Sequence, residues 1–137
     1  MMLIPKVTTF LMFNGNAEEA INLYVNTFED AEILTLVKYG EDSGEMAGAV
    51  QHAIFRIKDQ VLMAIDNVNG VDIDMTPAMS LYVTVESTME MEHLFSKLKS
   101  GGAILMPKTE MPPTFREFTW IVDKFGVNFQ LALPEKQ

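Results

Sequence analysis

At 137 residues the chain is long enough to bury roughly two-thirds of its unfolded surface, so a true hydrophobic core is available to it. Apolar residues make up 48% and charged residues 21%, which is globular usage and argues against disorder. The absence of cysteine removes disulfides, thiolate metal sites and cysteine nucleophiles together. A net charge of −9, with no local Lys/Arg cluster to offset it, repels phosphate backbones and excludes nucleic acid as a natural partner.

Stretch 1–5 lacks the charged start and apolar run of a signal peptide. No segment approaches the roughly 20 apolar residues of a membrane span. The expectation is a cytoplasmic protein with no membrane partner.

In chain order, 7–13 is apolar and β-prone and stops at Asn14-Gly15-Asn16, a turn-forming cluster. A helix follows, with Ala17, Ala20, Ile21, Tyr24, Val25 and Phe28 at helical spacing, and Asn16 and Glu19 placed as N-cap and reciprocal partner. Strands are predicted over 32–39, 50–57 and 60–66, with Lys58-Asp59 as the turn between the last two. The Gly-containing loop 40–48 either covers a pocket or merely connects strands.

After an exposed linker over 67–75, Thr76-Pro77 opens a second pass. Residues 80–85 alternate as a strand, 87–100 form a helix carrying Met91, Leu94, Phe95 and Leu98 inward, and Gly101-Gly102 ends it. Strands over 103–111, 116–122 and 127–133 follow, with a turn over 123–126. Ser87 and Glu90 stand at the same offset from Asn16 and Glu19 as Ser80 does from Thr9, which points to an internal duplication. The chain therefore reads as one α+β domain, 1–137, made of two βαβββ modules at about 5–67 and 76–134.

The run Phe10-Leu11-Met12-Phe13-Asn14-Gly15-Asn16-Ala17-Glu18-Glu19-Ala20, with Tyr24 and Phe28, resembles the opening of PhnB-like proteins. Trp120-Ile121-Val122-Asp123-Lys124-Phe125-Gly126-Val127-Asn128-Phe129-Gln130 resembles their closing signature. That family is a branch of the glyoxalase/bleomycin resistance/dioxygenase, or vicinal oxygen chelate, superfamily. The resemblance implies mixed sheets that curl around a shared cavity, and commonly a homodimer.

It also implies four metal-ligand places, which fall on Thr9, Met63 (or Ala64 if the register slips by one), Ser80 and Gln130. Hydroxyls, a thioether and a lone amide do not hold Mn, Fe, Ni or Zn, so no metal and no cofactor is expected. By similarity the family also carries a ubiquinone-pathway methyltransferase label. The Gly-rich strand-to-helix turn of common nucleotide-type cofactor sites is missing, so that activity is not expected.

Alternation sets Ser80, Tyr82 and Thr84 on one side of the fifth strand. If the first strand keeps matching register, Thr9, Leu11 and Phe13 share that lining, with Trp120 and Gln130 completing it. His52, in a strand, and Asp66, at a strand end, are further ligand-facing candidates, while Arg116 is a candidate charge at a strand start and His93 reads as a solvated helix residue. The expected ligand-binding set is thus Thr9, Phe13, His52, Asp66, Tyr82, Trp120 and Gln130. The same residues could equally fill an interior. The leading expectation is metal-independent binding of a small molecule in the cavity. The alternative is a divalent-metal lyase or dioxygenase whose ligands have moved to His52, Asp66 and Gln130.

Overall fold

The structure, a computed structural model, describes residues 4–136, so most of stretch 1–5 lies outside it. The chain divides into two compact units, Met1–Ile73 and Asp74–Gln137.

The first unit runs β1 (Thr9–Phe13), α1 (Ala17–Thr27), β2 (Ala31–Lys38), a 3-10 turn (Glu41–Met46), β3 (Val50–Ile57) and β4 (Gln60–Asp66). Its sheet has the order β1-β4-β3-β2, with β1 parallel to β4 and the other pairs antiparallel. The helix forms where the apolar spacing predicts it, and Ala17, Ala20, Ile21 and Tyr24 are fully buried. Tyr24 stacks on Phe55 of β3, ring centroids 6.2 Å apart, which identifies the helix-covered face of the sheet.

Lys58, at φ 52, takes the left-handed position of the two-residue hairpin turn, pinned by its N–H to the Asp30 carbonyl and by its own carbonyl to Arg56. Arg56 also pairs with Asp30 and Glu32, which raises its pKa, chiefly through the Asp30 hydrogen bond. The 40–48 loop is neither open nor structureless. Its ends are zipped by Tyr39 N–H to Ala49 and Gly48 N–H to Tyr39, so it continues the β2–β3 hairpin as a 3-10 tip.

The second unit repeats the order with β5 (Leu81–Thr84), α2 (Thr88–Lys99), β6 (Ala103–Met111), β7 (Phe115–Val122) and β8 (Asn128–Pro134). Its sheet is β5-β8-β7-β6, with β5 parallel to β8. Each unit is thus a four-stranded mixed sheet with one helix, the α+β βαβββ module expected from the repeat. Met91, Leu94 and Leu98 of α2 are fully buried, the inward stripe the spacing predicts. Among the described residues no helix is long and apolar enough to cross a membrane.

The two helix starts are capped differently. Ser87 accepts from the Glu90 N–H at 3.0 Å, and Glu90 reaches back to the Glu86 N–H at 2.8 Å, close to the expected capping box. Ser87→Ala is expected to cost about 1 kcal/mol in urea unfolding. Asn16 makes no such side-chain bond. Its place is taken from the far end of β4, where one Asp66 oxygen accepts from Gly15 and Ala17 N–H at 3.1 and 2.9 Å. The other Asp66 oxygen accepts from Val50 N–H at 2.8 Å.

The two modules also differ by one residue between strand and helix. Partners in a ladder share a face. Thr9 pairs with Leu62, which lies opposite Phe55, and Leu81 pairs with Phe129, which lies opposite Ile121. Thr9 is therefore the counterpart of Leu81, not of Ser80, and Phe13 is the counterpart of Val85. The first module holds an extra residue in its βα turn, where Gly15 sits at φ 96, a backbone setting in which a side chain would be strained.

Candidate functional site

Only one face of each sheet is covered by its helix. In the second unit the uncovered face is assembled row by row by strand register. Tyr82 pairs with Gln130, Gln130 with Trp120, and Trp120 with Met106, so one row crosses β5, β8, β7 and β6. The next row is Thr84, Ala132, Phe118 and Thr109. A rotated ladder between Ile104 and Thr109 brings Met106 into the first row, and Thr119, on the covered face, holds it there by bonding the Met106 carbonyl at 2.8 Å.

The polar atoms on this face are pre-oriented. Gln130 Nε2 donates to Ser80 Oγ at 2.8 Å, which leaves its carbonyl oxygen to accept and the serine hydroxyl to donate. Trp120 Nε1 donates to Asn128 Oδ1 at 3.0 Å, and Asn128 donates onward to the Gly126 carbonyl. The indole is thereby fixed, and it is half-buried. Tyr82, 51% exposed, and Phe118 are 6.4 Å apart, and Phe115 lies 5.8 Å beyond Phe118. The rows hold aromatic walls and a few directed polar groups, the mixture used by small-molecule sites. None of these side chains is charged.

Of the expected set, the structure brings Tyr82, Trp120 and Gln130 together. Ser80, expected as part of a polar lining and as one of the four metal-ligand places implied by the resemblance, joins them as the hydrogen-bond partner of Gln130. The other four lie in the first unit and are scattered there. Phe13 is 1% exposed on the helix-covered face, in register with Asp66, and Thr9 lies on that same face. The matching register expected for the first strand is corrected by one residue, and its uncovered face carries Phe10 and Met12 instead. Asp66 is buried, and both its oxygens accept backbone N–H groups. His52 is half-buried and pairs with Val37 on the uncovered face, so it and Asp66 point to opposite sides of one sheet. Arg116 and His93 are exposed. Asn128 was missed by sequence reasoning, and its only signal was its place two residues before Gln130 on an alternating strand.

Residues 5–132 match the family model described as 3-demethylubiquinone-9 3-methyltransferase. The chain belongs to this PhnB-like family. A Bacillus cereus PhnB protein whose description carries the same methyltransferase name is 45% identical, over 94% of this chain and 99% of that one, with a TM-score of 0.87. A Staphylococcus aureus protein is 58% identical over 98% of this chain and 100% of its own, at a TM-score of 0.42. A glyoxylase/bleomycin resistance protein/dioxygenase domain from Frankia is 15% identical, over 98% and 95%, at a TM-score of 0.69, and shares the fold. No protein of curated function matches.

The family description implies a methyl donor, and the superfamily implies a divalent metal. The residues of this PhnB-like chain fit neither. The start of α1 is occupied by the carboxylate of Asp66 and that of α2 by Ser87 and Glu90, so the two βα turns present capped helix ends where nucleotide-type cofactors dock. For the metal, register gives Met63 the place in β4 that Gln130 has in β8, since Phe10 pairs with Met63 as Tyr82 pairs with Gln130. A thioether there, and a hydroxyl already bonded to an amide at Ser80 and Gln130, are poor donors for hard or borderline divalent ions.

Proposed function

We propose that this PhnB-like protein binds a neutral small molecule carrying a flat ring, without a metal, on the uncovered face of its second sheet. The observation that carries the reading is the single row Tyr82, Gln130, Trp120 and Met106, in which a fixed indole and an exposed phenol flank a half-satisfied amide. A planar ligand stacks on Trp120 and Tyr82, donates to the Gln130 carbonyl oxygen and accepts from the Ser80 hydroxyl. The rows supply no carboxylate, imidazole, ammonium or guanidinium group, so they favour recognition of an uncharged ligand. The displaced-metal alternative has less support, because His52 and Asp66 point away from each other.

The protein is further proposed to be cytoplasmic and homodimeric. Strand β6, an edge of its sheet, exposes Ile104, Leu105, Met106 and Met111, apolar surface suited to a second copy.

Trp120 is the only tryptophan, so its emission reports directly on the site. Neutral bicyclic and monocyclic ring compounds are expected to quench or shift that emission saturably. Gln130→Ala is expected to weaken the binding of a hit by roughly tenfold to a hundredfold, the loss of one buried hydrogen bond. A broad set of such compounds giving no saturable change would overturn the reading.

A further inference from the structure

We propose that Asn69 is a site of spontaneous, sequence-directed modification, deamidating through a cyclic imide with Gly70, while the chain's other Asn-Gly pair is protected by the fold. The sequence contains two such pairs, Asn14-Gly15 and Asn69-Gly70. Glycine after asparagine leaves the following backbone nitrogen unshielded, so both pairs are chemically competent in an unfolded chain.

The folded structure treats them oppositely. Asn14 is exposed, yet its amide is clamped at both ends: Nδ2 donates to the Ile73 carbonyl at 2.8 Å, and Oδ1 accepts from the Ile73 N–H at 3.1 Å. The nitrogen that would attack it, Gly15 N, is held by its hydrogen on Asp66 at 3.1 Å. Asn69 is exposed, and among the described residues its side-chain amide has no hydrogen-bond partner. Its own backbone N–H is turned to Asn67 Oδ1 at 3.1 Å, and Gly70 sits at φ 79 with open space around it. Among the described residues nothing accepts the Gly70 N–H.

The reaction requires only water. The deprotonated Gly70 nitrogen attacks the Asn69 side-chain carbonyl carbon, a C–N bond forms, and ammonia leaves with the proton that balances it. Water then opens the imide at either carbonyl, giving aspartate or isoaspartate. Each event adds a negative charge close to Asp72 and Asp74, and the isoaspartyl product lengthens the main chain inside the turn that Asn67 closes onto Val71.

The test is incubation of the intact chain at mildly alkaline pH, with peptide mapping by mass spectrometry and separation of the two acidic products by ion exchange. A parallel sample is held unfolded in urea. In the folded protein the peptide containing Asn69 is expected to gain the amide-to-acid mass, with both isomers present. The Asn14 peptide is expected to react at least about tenfold more slowly, since three hydrogen bonds must break first. In urea the two peptides are expected to react at comparable rates. An unreacted Asn69 in the folded protein, or an Asn14 that reacts there as fast as Asn69, would overturn the proposal. Asn69→Gln, which disfavours imide closure by lengthening the ring, is expected to abolish the first product and leave Asn14 unchanged.

Discussion

Replacing Asp66 by alanine is expected to remove about 4 kcal/mol of stability, because three backbone N–H groups lose their acceptor at once. Gly15 and Ala17 lie at the start of α1 and Val50 at the start of β3, so one carboxylate at the end of β4 ties three elements of the first unit together. Asp66 is 4% exposed, and water does not replace the lost acceptor without opening the packing around Phe13 and Ala17. Set against the 5–15 kcal/mol typical of a domain, the loss is a large share of the total. Asp66→Asn is expected to fall between, since it keeps one acceptor oxygen but turns an amide donor toward an N–H. Urea unfolding followed by circular dichroism checks the ranking. An alanine variant within about 1 kcal/mol of the parent would show that the three bonds are not structural supports.

Gly102→Ala is the second large effect expected, about 3 kcal/mol, through overlap with backbone. A methyl group there would fall on the Val122 carbonyl oxygen and within 2.8 and 2.9 Å of Asp123 backbone carbons. That backbone yields little: the Asp123 carboxylate accepts from Phe125 and Val127 N–H, both at 2.9 Å, and fixes the β7–β8 turn. The neighbouring Gly101 differs in kind. It sits at φ 78, and an added methyl meets Lys124 Cβ at 3.1 Å, a tight approach but not an overlap with backbone, so Gly101→Ala is expected to cost roughly 1–2 kcal/mol for the left-handed backbone setting and to remain less damaging than Gly102→Ala. The urea midpoints of the two variants check the order, and a Gly102 variant as stable as the Gly101 variant would contradict it.

Local chemistry carried far in the sequence. Ser87 and Glu90 cap α2 as their spacing predicts, Lys58 and Asp59 turn the β3–β4 hairpin, and the apolar stripes of both helices are buried except for Val25, which is half-buried. Alternation along β5 placed Tyr82 and Thr84 on the uncovered face, and register then added Trp120 and Gln130. What could not be read depends on residues distant in the chain. Asn16 makes no side-chain cap on α1, and the turn before the helix is held instead by Asp66, fifty positions on in sequence, which takes the N–H groups of Gly15 and Ala17 on either side of it. Thr9 and Phe13 were assigned to the wrong face because the extra turn residue at Gly15 shifts the strand by one against the helix, and a shift of one reverses every side chain of a strand. The rotated stretch of β6 that delivers Met106 left no mark in the pattern either.

Metal-independent binding is proposed for the face that carries Trp120 and Gln130. The most direct measurement is titration of Trp120 emission with a hit from the ring-compound set, run in chelator and again with Mn, Fe(II), Ni or Zn added in turn. One dissociation constant shared by all conditions, weakened by Gln130→Ala and left unchanged by His52→Ala, is the expected result. Binding that appears only with one metal and is lost on chelation or in His52→Ala would contradict the account and move the site to the displaced-ligand metal reading.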